Sequence, residues 1–108
     1  MAAFRATKGK LAYNASKASA LGVTHTLGEA WGEDGIRVNG IASGLIETKL
    51  TKVTTENAKR REGVEQKVPL KRLGQPEGIA GTALFLDSPL SSYIVRQTIN
   101  VDGDLTLA

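Results

Sequence analysis

The longest pattern along the chain is helical. From about Leu11 to Trp31 there are good helix formers and many small residues, with no proline. This predicts a long helix ending at Gly32-Glu33-Asp34-Gly35, where glycine suits a left-handed cap and turn. At about 100° per residue, Tyr13, Lys17, Ala20, Thr24, Leu27 and Trp31 share one face, and Ala15, Ala18, Ser19, Gly22 and Thr26 lie opposite. Few of these positions are charged, so the helix is expected to be buried on more than one side. Ile36-Arg37-Val38-Asn39-Gly40-Ile41-Ala42 alternates β-branched residues between glycines and predicts a short strand, broken at Ser43-Gly44. Residues 48–71 are polar and basic, a loop carrying a helix around residues 56–67. Pro76 suits a first helical position. Ile79, Ala80, Ala83, Leu84 and Leu86 then fall on one side of a helix that Ser88-Pro89 ends. Thr98-Ile99-Asn100-Val101 predicts a second strand, closed by Asp102-Gly103.

The order is helix, strand, helix, helix, strand. A strand, a helical crossover and a second strand make a right-handed parallel unit. Parallel sheets are normally buried on both faces and contain several strands, and two strands are too few to stand alone. The chain therefore reads as α/β and as part of something larger. Its 108 residues suffice for one small domain, and 41% hydrophobic residues is a globular composition. There is no cysteine. That excludes disulfides, thiolate catalysis and cysteine metal sites, and fits a cytoplasmic protein. His25 cannot build a zinc site alone, so no metal is expected. No run of about 18 apolar residues offers a membrane span. Met1-Ala2-Ala3-Phe4-Arg5 has no apolar core behind it, so no signal peptide is expected. The net charge of +3 is modest, although residues 49–72 hold eight Lys/Arg and three Glu. No aromatic interleaves those charges, so there is no base-stacking platform. A solvated loop or amphipathic helix is the reading, not a nucleic-acid surface.

Tyr13-Asn14-Ala15-Ser16-Lys17 places a phenol and an ammonium four residues apart, neighbours on a helix. A free phenol, with a pKa near about 10, is too weakly acidic to serve as a base at neutrality. A nearby cation favours the phenolate, and such a group could pass a proton to or from a substrate oxygen. The spacing alone also describes an ordinary surface pair.

Further motifs extend the pattern. Tyr13-x-Ala15-Ser16-Lys17, the small-residue helix and Ile36-Arg37-Val38-Asn39 resemble the active-site helix and next strand of the short-chain dehydrogenase/reductase family. Gly44-Leu45-Ile46-Glu47-Thr48 resembles that family's Pro-Gly-x-x-x-Thr loop. Arg72-Leu73-Gly74-Gln75-Pro76-Glu77 and Asn100-Val101-Asp102-Gly103 follow in the family's order. The resemblance covers nearly the whole chain from Leu11 and is similar to ketoacyl-carrier-protein reductases and small alcohol dehydrogenases. It implies one partial domain over residues 1–108. This would be the C-terminal part of a Rossmann-like doubly wound parallel sheet, with about two strands and three or four helices, the N-terminal nucleotide-binding half being absent. It further implies Tyr13 as catalytic acid/base and Lys17 as the residue that lowers the tyrosine pKa and holds the nicotinamide ribose. The Ile46 backbone would meet the nicotinamide carboxamide, and the Thr48 hydroxyl would support the cofactor, NAD or NADP. A small carbonyl or alcohol substrate is implied, as is a homo-oligomer paired through the helix around residues 11–31. The small-residue face could equally pack against helices of the same chain.

The sequence departs from the family pattern. No Gly-x-x-x-Gly-x-Gly phosphate loop occurs, nor the Asn-Ala-Gly segment. The catalytic serine and the relay asparagine would fall before Met1, and Thr7 is too close to Tyr13 to replace that serine. Ser43 stands where proline is usual, Arg96 interrupts a Thr-Gly-Gln pattern, and Asp104 replaces a second glycine. Two readings follow. One is an NAD(P)-dependent oxidoreductase, inactive as this isolated fragment. The other is a non-catalytic truncated member serving as an oligomerisation or interaction module, because an open sheet edge invites a partner.

Overall fold

The computed structural model describes residues 8–52 and 56–105. Helix α1 covers Leu11–Trp31, the bounds the small-residue run predicts. No side chain caps its start, but the Asn14 amide donates to the Lys10 carbonyl at 2.9 Å. Ser16, Ser19 and Thr24 donate their hydroxyls to the carbonyls of Tyr13, Ser16 and Ala20 at 2.8, 2.7 and 2.9 Å. These polar residues are thereby satisfied within the helix. Past Trp31 the chain tightens into a 3-10 turn, Gly32–Asp34, and the left-handed residue is Gly35 at φ 74°. Gly32 itself stays helical at φ −59°.

Strands β1 (Gly40–Ser43) and β2 (Thr98–Val101) pair in parallel, Gly40 opposite Thr98 and Ser43 opposite Val101. β1 starts four residues later than the expected strand of residues 36–42 and includes Ser43, where a break was expected. The late start has its cause in the segment that leads into β2. The Arg96 amide donates to the Val38 carbonyl and the Gly40 amide to the Gln97 carbonyl, both at 2.8 Å. Yet Arg96 sits at φ 63°, and that left-handed residue turns the ladder aside before β2 begins. Upstream of β1 the side chains act as pins. Arg37 Nη1 donates to the carbonyl and the hydroxyl of Ser91, each at 2.9 Å, and Ser91 is 1% exposed. Asn39 Nδ2 donates to the Ile94 carbonyl at 2.8 Å, while its Oδ1 accepts the Gln97 amide at 3.0 Å.

Helix α2 covers Ala58–Lys67, two residues inside the expected start, because Asn57 caps it by accepting the Arg60 amide at 3.0 Å. Helix α3 covers Pro76–Asp87 with proline in its first turn, and a 3-10 turn, Pro89–Ser91, follows. The expected apolar side of α3 needs correction. Ile79, Thr82 and Leu86 are its half-covered residues, whereas Ala80 and Ala83 are exposed and Leu84 is 72% exposed. Leu84 lies about 140° round the axis from Ile79, so a stripe at i, i+3 and i+7 cannot include it.

Ala42, Val68, Leu73 and Leu105 are the buried apolar side chains among the described residues. This core joins β1, the segment after α2 and Leu105 beyond β2. It is small for the surface it serves. The chain exposes 7662 Å², against about 5,800 Å² for a compact monomer of this mass. Its radius of gyration is 15.5 Å, against about 13 Å for a compact domain of this length. Most of α1 contributes to the excess, since Gly28 is its one fully buried residue.

Candidate active site

Tyr13 and Lys17 lie one turn apart on α1, and the helix period puts them on one side. Lys17 Nζ stands 5.4 Å from the centroid of the Tyr13 ring. The ammonium therefore contacts the ring face, within cation–π range. Tyr13 is 53% exposed and Lys17 is exposed as well. The pair is open to a ligand, with a positive charge beside the phenol.

Ile46 and Thr48 lie on the loop that leaves β1. Two glycines set its path. Gly44 donates to the Val101 carbonyl at 3.0 Å, and a Cβ there would stand 2.7 Å from the Asp102 Cα, so a larger residue would push the loop off the end of β2. Gly74 leaves the space into which the Ile46 side chain packs. The two segments form a short parallel bridge, with Gly74 donating to the Leu45 carbonyl at 3.0 Å and Glu47 to the Gly74 carbonyl at 2.9 Å. Thr51 closes the loop's far side. Its hydroxyl donates to the Ile46 carbonyl at 2.8 Å and accepts the Thr48 amide at 2.9 Å. None of these bonds uses the Ile46 N–H.

Glu47 is a residue that the sequence reading did not single out. Its Oε1 accepts from Arg61 Nη1 on α2 at 2.7 Å, and its Oε2 from Gln75 Nε2 ahead of α3, also at 2.7 Å. Arg61 Nε donates in turn to Glu65 Oε1 at 3.1 Å. The Arg61 guanidinium, helped by the Gln75 amide, holds the Glu47 carboxyl below its ordinary range. Bonding to Glu47 and then to Glu65 pushes Arg61 up. Glu47, Arg61 and Gln75 lie on a loop, on α2 and ahead of α3, so the periodicity of no single element could have found them.

The four expected site residues thus form two pairs. Tyr13 meets Lys17, and Ile46 meets Thr48 through Thr51. Among the described residues, no hydrogen bond, ion pair or ring contact joins one pair to the other. A cleft of ≈ 370 Å³ opens beside the loop, walled by Leu45, Ile46, Leu70, Arg72, Asn100 of β2 and Asp102 just after it. No residue of α1 lines it. Among the described residues, no group of three His, Cys, Asp or Glu side chains could hold a metal ion. No helix among them is long and apolar enough to cross a membrane.

A family model described as enoyl-(acyl carrier protein) reductase matches residues 1–106. A solved structure of a short-chain type dehydrogenase/reductase from Mycobacterium ulcerans is similar at TM-score 0.92 and 34% identity, over 98% of this chain and 38% of that one. The chain belongs to the short-chain dehydrogenase/reductase family. Within that family it is 42% identical over 99 residues to the 3-oxoacyl-[acyl-carrier-protein] reductase of Thermotoga maritima, which covers 92% of this chain and 39% of the relative. It is also similar to a gluconate 5-dehydrogenase from Burkholderia cenocepacia, solved with NADP and tartrate. There the TM-score is 0.91 at 32% identity, over 99% of this chain and 42% of that one. The chain thus spans about two fifths of the length of these relatives, and its two parallel strands and three α-helices are a piece of their Rossmann-like fold. The family's dinucleotide fits these residues in part. An exposed phenol and ammonium, a threonine hydroxyl and a backbone N–H not used by the loop suit the nicotinamide end. Its phosphates find no glycine-rich turn from strand to helix among the described residues.

Proposed function

We propose that this chain carries the proton-transfer part of an NAD(P)-dependent oxidoreductase that interconverts a small alcohol and a ketone. The cofactor, NAD or NADP, would supply or take the hydride. This chain's own share is the proton, given or taken at the Tyr13 phenolic oxygen. Lys17 supplies positive charge against the Tyr13 ring and would hold the cofactor ribose. The Ile46 backbone meets the nicotinamide carboxamide, and the Thr48 hydroxyl supports the same end. We also propose that the 108 residues alone do not turn over, that the protein is cytoplasmic, and that it forms a homo-oligomer through α1. The observation that carries the reading is the Tyr13–Lys17 pair, in contact and open to a ligand. A second reading, a non-catalytic interaction module, draws support from the α1 face of Ala15, Ala18, Ser19, Gly22 and Thr26, which is exposed throughout.

The test is a graft. Residues 11–105 would replace the matching part of the Thermotoga maritima reductase, and NADPH-dependent ketone reduction would be assayed. The graft should be active, and Tyr13→Phe in it should lower kcat at least about 100-fold, the lower end of what a positioned acid contributes. A folded, NADPH-binding graft without activity, or one indifferent to Tyr13→Phe, would refute the enzymatic reading.

A further inference from the structure

Helix α2 is held in an unusual way for a helix that packs on a domain. It has no fully buried residue, and only Arg61, Val64 and Glu65 are even half-covered. Ten residues are too few to hold a helix by their own hydrogen bonds, so its position depends on what it touches. Its C-terminal end is anchored, because Val68, the residue that follows it, is 3% exposed. One turn into the helix, the anchoring group is Arg61. It grips Glu47 of the loop at 2.7 and 3.4 Å, and Gln75 grips the same carboxylate at 2.7 Å. One end of α2 is thus fixed by apolar burial and the other by an ion pair about a third exposed, 36% at Arg61 and 32% at Glu47.

We propose that Glu47, Arg61 and Gln75 form a releasable latch that holds helix α2 down on the loop of residues 44–48, with the buried Val68 as its hinge. When the latch opens, α2 swings from the loop that carries Ile46 and Thr48, while α3 and the sheet stay folded. Arg61 keeps a partner on its own helix in the open state, since Glu65 Oε1 lies 3.1 Å from its Nε. That internal pair lowers the cost of release, because the guanidinium is never left without a carboxylate. The proposal concerns the loop named in the proposed function but rests on no cofactor binding.

Amide hydrogen exchange on the purified 108-residue chain, without cofactor, reads the latch directly. Glu47→Gln and Arg61→Gln should each speed exchange in Ala58–Lys67 about two- to fivefold, the size of a part-exposed ion pair. Pro76–Asp87 should not change. The double variant should add little to Arg61→Gln alone, because that change already removes the contact that Glu47→Gln removes. Reversing the pair as E47R with R61E should restore part of the protection. Unchanged exchange in α2 in both single variants, or a rise shared equally by α3, would overturn the latch. Wild type supplies a second arm should a variant fail to fold. Raising salt from about 0.05 to 0.5 M screens an exposed ion pair and should speed exchange in α2 ahead of α3, whereas equal response of the two helices would count against the latch.

Discussion

Arg96 shows how a single residue redirects the local structure. It occupies a left-handed backbone position at φ 63°, where the family resemblance expects glycine. Such strain typically costs about 1–3 kcal/mol in a residue with a side chain. The side chain then lies across Gly28 on α1, where a Cβ would overlap the Arg96 Cγ, and its guanidinium pairs with Glu29. Gly28 and Arg96 are therefore fitted to each other, and a cycle of variants should show it. Gly28→Ala alone should destabilise by about 1–3 kcal/mol, as overpacking does. In an Arg96→Gly background the same change should stabilise by up to about 1 kcal/mol, since alanine is the better helix former. Chemical denaturation of the four proteins measures this, and the same sign in both backgrounds would contradict the account. Tyr13 and Lys17 were legible in the sequence because their relation is local: the helix period alone makes them neighbours. Gly28 and Arg96 are 68 residues apart, and neither position hints at the other.

At the scale of elements, legibility again followed range. The bounds of α1 and the proline start of α3 were readable because composition and a turn signal sit inside the element. The start of β1 was read too early because those residues lose their ladder to the left-handed Arg96 in the segment before β2. The covered side of α3 was misjudged for a related reason. Leu84 is apolar, but its neighbours in space are solvent, and apolarity alone does not say which way a helix turns. The clamp that ties α2 to the loop was invisible because its residues lie on three separate segments, which no single element's periodicity connects. Its pH response can be worked out. Contacts from Arg61 and Gln75 depress the folded value of Glu47. A depressed carboxyl contributes stability above its unfolded pKa and loses it as pH falls through the folded one. The stability gap between wild type and Glu47→Gln should thus be widest above about pH 5 and close as pH falls below about 4. Arg61 is raised further from neutrality and adds nothing in that window. A gap that widens on acidification would mean that Glu47 is not held as an anion.

The whole molecule has more surface than its core can use. Leu11, Leu50, Leu84 and Leu90 are each more than 70% exposed, and the small-residue face of α1 is bare. Related chains are more than twice as long. A partner surface is the economical account of so much exposed apolar area. Light scattering on the purified chain should give a mass above 11.4 kDa at all but the lowest concentrations, and a monomer at high concentration would rule out association through α1. The sheet points the same way. Among the described residues the two parallel strands have a free edge on each side, and such edges are normally paired or covered.

In the proposed function Tyr13 and Lys17 supply the proton chemistry, whereas no Gly-x-x-x-Gly-x-Gly motif for dinucleotide phosphates occurs in the sequence. The most direct measurement of that division is a calorimetric titration of the purified, folded chain with NADH and NADPH. No binding at micromolar concentrations is expected, and no reduction of carbonyl substrates. Micromolar binding accompanied by turnover that Tyr13→Phe abolishes would contradict it, and would mean that these residues assemble a complete cofactor site among themselves.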